Sequence, residues 1–273
     1  MKSKKPQHAL TPEMIEHYCK LYPTGEAVYK AVEEKFGNIK VTPTEYLTIR
    51  RHLNSDNRLS EGLEKAASLV KKLTIVGLLT DDDFKFIKSE MQETLQELDM
   101  TDAYTDNGKI PDGAFKYCKF TTVKLPSAVT EIGFNAFGDC KALTTVTFGN
   151  AVTKIADFAF MKCRSLTSVI IPDTVTEIGQ EVFTLCEALN FVALGASVTT
   201  IGDEAFSDCP ALTAIHIPAA TTNVHDNAFA RSPTAITVHP DNPVYESIEG
   251  KLRRINGKSR LPFTVHRSPP LNS

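Results

Sequence analysis

Five of the six cysteines, Cys118, Cys140, Cys163, Cys186 and Cys209, fall at near-constant spacing. Thiols serve nucleophilic, redox and metal chemistry, so this column is tested first. No Cys-x-x-Cys pair occurs, which leaves a zinc site without support. Disulfides between neighbours are not excluded by distance, yet five cysteines in a line cannot all pair. A buried free cysteine behaves as a small hydrophobe, and that structural reading accounts for all five. The seven histidines are scattered from His8 to His266 with none at a repeated distance, so no Cys-His dyad is indicated. Gly133, Gly179 and Gly202 recur in phase and read as turn glycines, not as a phosphate-cradling loop. Asp81-Asp82-Asp83 lacks the alternating oxygen ligands of a calcium loop and reads as the acidic start of a helix. No catalytic, cofactor-binding or metal residue is assigned, and the expectation is a protein that is not an enzyme.

The elements that hold this column are repeats. Ile132-Gly-Phe-Asn-Ala-Phe137-Gly-Asp-Cys140, Ile155-Ala-Asp-Phe-Ala-Phe160-Met-Lys-Cys163, Ile178-Gly-Gln-Glu-Val-Phe183-Thr-Leu-Cys186 and Ile201-Gly-Asp-Glu-Ala-Phe206-Ser-Asp-Cys209 step by 23 residues. The series extends back to Ile110, Phe115 and Cys118 and forward to Val224 and Phe229, giving six units in phase. Each continues into a run such as Leu143-Thr-Thr-Val146-Thr-Phe148 or Leu166-Thr-Ser-Val169-Ile-Ile171, closed by Pro126, Gly149, Pro172, Gly195 or Pro218. Alternation with Thr and β-branched residues predicts a short strand buried on one side. One such strand cannot bury its apolar face alone, so coils must stack at about 4.8 Å into a parallel ladder around a continuous core.

These units resemble the BspA type of leucine-rich repeat, over roughly Ile110 to Val238. The resemblance implies a right-handed leucine-rich-repeat solenoid, with the parallel ladder on its concave face and short helical or turn segments on its convex side. Residues 60–109 read as divergent N-terminal coils, since Val70-Lys-Lys-Leu73-Thr-Ile75 and Leu95-Gln-Glu-Leu98-Asp-Met100 keep the strand pattern without Phe and Cys. Ser232 and Pro233 replace Cys and Leu in the last unit, and residues 239–265 resemble the family's closing unit. The resemblance also implies an interaction module of adhesive, host-contact type, binding a protein or glycan. The alternative is an intracellular scaffold or regulatory protein.

Residues 9–54 follow other rules. Starts at Thr11-Pro12, Thr24 and Thr42-Pro43-Thr-Glu45 predict about three helices, flanked by flexible ends at 1–8 and 266–273. The third helix would carry Arg50, Arg51 and His52, which invites a helix-turn-helix reading. The link from Gly37 to Thr42 is long for that turn, and Lys+Arg exceed Asp+Glu by only 3 over residues 1–54. With a net charge of -3 and pI near 6.2, nucleic acid is not the expected partner. No apolar run reaches the roughly 20 residues of a membrane span. The residues after Met1 do not run into a signal-peptide stretch. The expectation is a cytoplasmic monomer, with the cell surface or secretion by another route as the alternative.

Pleat alternation assigns the partner face. Thr122 and Lys124, Thr145 and Thr147, Ser168 and Ile170, Phe191 and Ala193, and Ala214 and His216 point away from the core. Ile170 and Phe191 make an apolar spot beside His216, and Phe191 leads the candidates, followed by Ile170, His216, Lys124 and Thr147. On a second column, Glu131, Lys154 and Glu177 alternate in charge, which would fix register and nothing more.

Overall fold

The computed structural model describes residues 47–50, 59–60, 67 and 70–255. It is a parallel-strand β-solenoid of about 7 turns. One sheet runs β1 (Leu47–Arg50), β2 (Lys72–Leu79), β3 (Glu97–Asp99), β6 (Thr122–Lys124), β8 (Thr145–Thr147), β10 (Ser168–Ile170) and β12 (Phe191–Ala193), with β4 (Ala103–Thr105) also on β2. A second sheet has six strands: β5 (Lys109–Ile110), β7 (Glu131–Ile132), β9 (Lys154–Ile155), β11 (Glu177–Ile178), β13 (Thr200–Ile201) and β15 (Asn223–Val224). The first ladder stops at β12 and resumes as the pair β14 (Ala214–Ile217) and β16 (Ala235–Val238).

Register follows the repeat. Val123 faces Val146, Val169 faces Val192, and Ile132, Ile155, Ile178 and Ile201 stand opposite one another in turn. Between the ladders the Phe column stacks face to face, with centroids 5.2, 5.0, 5.5, 5.3 and 5.6 Å apart from Phe115 through Phe137, Phe160, Phe183 and Phe206 to Phe229. Thr153, Thr176 and Thr199 each donate a hydroxyl to the carbonyl of the equivalent threonine one coil back, at 3.1, 3.2 and 2.9 Å.

The Phe-Cys segments that follow the second ladder are turns and not helices. In the four middle Phe-Cys coils two side-chain-bearing residues adopt the left-handed backbone, for example Asn135 (φ 53) with Asp139 (φ 58), and Phe158 (φ 62) with Lys162 (φ 61). That conformation costs a non-glycine residue about 1 kcal/mol or more. In return the N–H groups of these four residues reach the next coil, as in Asp139 to Met161 O at 2.8 Å and Lys162 to Thr184 O at 2.8 Å. Gly133, Gly179 and Gly202, expected as turn glycines, lie outside the positive-φ set. Space is what glycine supplies: a Cβ on Gly133 would stand 2.5 Å from the Ile110 carbonyl oxygen, and one on Gly149 or Gly195 would stand 2.1 Å from that of Pro126 or Pro172.

Both ends of the stack depart from the repeat. The helix α1 (Asp81–Met91) replaces the Phe-Cys turn in the first full coil, and Phe84 meets Phe115 edge-on at 5.5 Å. Thr80 caps it; the carboxylate of buried Asp83 accepts from the Thr80 N–H at 3.0 Å and from the Leu59 N–H at 2.9 Å. The acidic triplet is therefore a helix start, as its sequence suggests. At the other end the antiparallel hairpin β17 (Tyr245–Ile248) and β18 (Lys251–Arg254) follows β16. Buried Asn242 ties it down, donating to Pro218 O at 2.8 Å and Thr221 O at 2.9 Å and accepting from the N–H groups of Val244 and Tyr245.

One expectation is corrected. Residues 47–50, assigned to a third helix, form β1, which pairs in parallel with β2 so that Leu47, Thr48 and Ile49 stand opposite Leu73, Thr74 and Ile75. The same Leu-Thr-Ile triplet occurs on both strands, and this ladder register outweighs the local capping signal at Thr42. The other expectations for residues 9–46 and 51–54 lie outside the described residues.

Two substitutions test this account by urea unfolding. Gly149→Ala should lower stability by about 1–3 kcal/mol through overpacking against the Pro126 carbonyl. Asn242→Ala should cost about 2–4 kcal/mol by stranding buried partners. A neutral result at either position would mean that the coil-to-coil contact is not tight.

Candidate functional site

The outward positions of the first ladder form one surface whose chemistry changes along the stack. At its N-terminal end charges alternate and pair: Lys72 with Glu97 at 2.8 Å and Lys124 with Asp99 at 2.8 Å. Partial burial pulls the Asp99 carboxyl up, but hydrogen bonds from Lys124 and Thr101 outweigh it and hold the group below its ordinary value. The Lys124 ammonium is raised by its bond to Asp99. Lys124, expected as a partner contact, is thus already engaged.

Further along the surface loses its charge. Thr145 and Thr147 are exposed on β8, and Ile170 is 68% and Phe191 53% exposed. Ser168 pairs with Phe191 and Ile170 with Ala193, so Ile170 and Phe191 are diagonal neighbours on adjacent strands, within reach of each other. The ladder bonding then breaks before β14. Across that break exposed His216 shares a 3.0 Å hydrogen bond between its Nδ1 and Thr237 Oγ1, and its ring meets His239 edge-on at 6.1 Å. Ile170 and Phe191 are brought together as the pleat suggested. His216 stands beyond the break and Thr147 one strand before Ile170.

The cysteine column is internal. Cys118, Cys140, Cys163, Cys186 and Cys209 are all buried and free. From Cys140 onward each Sγ donates to the carbonyl of the phenylalanine one coil back: Phe115, Phe137, Phe160 and Phe183, at 3.0, 3.2, 3.4 and 3.1 Å. Where serine replaces cysteine, Ser232 Oγ makes the same bond to Phe206 O at 2.7 Å. Burial pushes the thiols up, to about 12 for Cys118 and Cys209 and well above the ordinary value for the three between. Such thiols are poor nucleophiles and poor ligands at neutral pH. Among the described residues no group of three or more His, Cys, Asp or Glu side chains is arranged to hold a metal ion. No described helix is long and apolar enough to cross a membrane.

Residues 108–235 match, in six copies, the family model described as BspA type leucine rich repeat region. This stretch is a BspA-type leucine-rich repeat region. No curated protein matches the chain. Solved structures similar to it include a leucine rich cell surface protein from Faecalibacterium prausnitzii A2-165, at 28% identity and TM-score 0.48, with 76% of this chain and 46% of that one covered. A leucine rich repeat protein from T. pallidum is similar at 31% identity and TM-score 0.40, covering 42% of this chain and 61% of that one. The pneumococcal vaccine antigen PcpA shares 22% identity at TM-score 0.44, with 59% and 40% covered. The chain spans less than two thirds of each of these proteins.

Within the BspA-type region the second ladder carries the alternating charges. Lys109 meets both Glu131 and Asp112 at 3.0 Å, Lys154 meets Glu177 at 3.2 Å, and Glu131, Lys154 and Glu177 are register partners. The Lys109 ammonium is raised chiefly by its bond to Glu131. Sequence reasoning missed an exposed aromatic pair, Phe134 and Phe158, with centroids 5.2 Å apart. The available signal was that other units place Asp, Glu, Gln, Asn or Gly in these two columns.

The cysteine column makes a pH prediction. A thiol raised in the folded state adds stability that is complete below its ordinary value near 9.0 and is lost as pH rises towards about 12. Unfolding free energy should therefore fall across that window, and Cys163→Ser, which keeps a donor to Phe137 O, should shrink the fall. At pH about 8 iodoacetamide should leave Cys140, Cys163 and Cys186 unmodified until the chain unfolds. Peptide mass spectra showing rapid labelling of the native protein would refute the buried column.

Proposed function

We propose that this chain is a non-catalytic interaction module that grips a protein partner on the outward face of its first ladder, with Phe191 as the anchor. The coil is taken as right-handed with that ladder lining its inner curve, the surface that solenoids present to partners. The observation that carries the reading is that the outward ladder positions Thr145, Thr147, Ser168, Ala193 and Ala214 are uncharged, and that Ile170 and Phe191 project among them at 68% and 53% exposure. Apolar groups so exposed, framed by hydroxyls and with an ionic border at Asp99 and Lys124, follow the pattern of an aromatic anchor inside a polar rim. A protein suits this face better than a glycan. Sugar hydroxyls are best held by carboxylates, amides and guanidinium groups, and the outward positions of β8, β10 and β12 offer none. An interaction role also agrees with the BspA-type family, whose adhesive members make host contact.

The test is peptide display on the intact protein, run beside a glycan array. Selected peptides should carry apolar side chains, and Phe191→Ser should weaken them about tenfold or more, the scale of a central aromatic contact. Ile170→Ser should weaken them less. Enrichment on the glycan array alone, or peptide affinities indifferent to both substitutions, would sink the protein reading.

A further inference from the structure

A second exposed apolar feature lies away from the first ladder, just beyond the six-stranded one. Phe134 is 48% exposed and its ring meets that of half-buried Phe158 edge-on at 5.2 Å, interplanar 68°. Neither ring belongs to the hydrophobic core. The repeat does not require them, because the rest of the same two columns is Asp, Glu, Gln, Asn or Gly, as at Asp112, Asn135, Gln180, Glu181, Glu204 and Asn227. Phe158 moreover keeps its bulky side chain on a left-handed backbone (φ 62), where an aromatic residue is strained. Strain of this kind persists where the surrounding structure imposes it and gathers at binding surfaces.

The charges around the pair are one-sided. Asp112 is matched by Lys109 at 3.0 Å and Glu204 by Arg231 at 3.1 Å, while Asp203 lies 2.7 Å from the His225 ring. Asp157 and Glu181, which adjoin Phe158 in the chain and in the next coil, have no cationic partner among the described residues. Asp157 accepts from the Gln180 N–H at 2.8 Å and Glu181 from the Gln180 side chain at 3.2 Å. Two ring faces beside two unmatched carboxylates suit a guanidinium, which can stack on an aromatic face while its edge pairs with a carboxylate.

We infer that the Phe134–Phe158 pair, with Asp157 and Glu181, is a second docking surface that takes an arginine-bearing, partly apolar peptide segment of a partner protein. It shares no residue with the Phe191 face, so either surface can fail without the other. A module with an apolar face on one ladder and an acidic aromatic ridge beside the other could hold two partners, or two segments of one.

The probe is a short peptide alternating arginine and leucine, with a glutamate-for-arginine counterpart, titrated calorimetrically against the full chain at low and physiological salt. The arginine peptide should bind and the counterpart should not. The double variant Phe134→Ser, Phe158→Asn should lose about tenfold or more in affinity, since asparagine accepts the left-handed backbone. Glu181→Lys should lose a similar factor and flatten the salt dependence, while Phe191→Ser should leave binding unchanged. Thermal unfolding of each variant shows that it is folded. Affinity that survives the double aromatic variant would reduce the effect to general attraction by an acidic protein and overturn the proposal, as would the absence of binding to the native chain.

Discussion

The structure depends on one distance, the separation of about 5 Å between successive coils. Main-chain hydrogen bonds between parallel strands set it on each ladder, and the stacked phenylalanine rings, 5.0 to 5.6 Å apart, match it in the core. No coil contains a core of its own. Each buries its Ile, Phe, Cys and Leu columns only against its neighbours, so stability resides in the interfaces between coils. That dependence explains why inter-coil hydrogen bonds are made by so many kinds of donor: strand N–H groups, threonine hydroxyls, thiols, and the N–H groups of left-handed turn residues.

A structure made of interfaces has exposed ends, and each end is closed by chemistry that the repeat lacks. The helix α1 covers the first phenylalanine ring, with Asp83 spent on its own cap. Asn242 donates to the Pro218 and Thr221 carbonyls at the other end. Ser232 shows the economy of the design at the last coil, where a hydroxyl takes over the thiol's bond to the phenylalanine carbonyl. The cysteine column thus needs a small, buried donor more than it needs sulfur. Its raised thiols follow from the same dry environment that makes it a good core.

Much of this was legible in the residues because the period is strict. Columns of Ile, Phe, Cys and Leu at 23-residue steps dictate a stack, and the pleat of three-residue strands sorts Val146 inward from Thr145 and Thr147 outward. The strand at Leu47–Arg50 was not legible, since a single unit outside the Phe-Cys register carries a weak strand signal next to a strong capping signal at Thr42. Nor was the engagement of Lys124, which depends on Asp99 in a coil whose register is 25 residues from its own. The Phe134–Phe158 pair was visible only as a departure from its columns, and departures stand out once the rule for each column is known.

This suggests how function is written on a repeat. Positions that point inward are held by the spacing between coils and have no freedom to specialise. Outward columns are under no such constraint, so their default is whatever keeps the sheet in solution: threonine, serine and alternating charges. Large apolar groups there oppose that default, and among the described residues two pairs do so, Ile170 with Phe191 on one side and Phe134 with Phe158 on the other. Both lie on coils between the two caps. A partner seated there would touch several coils at once, so that its binding would also favour the native spacing between them.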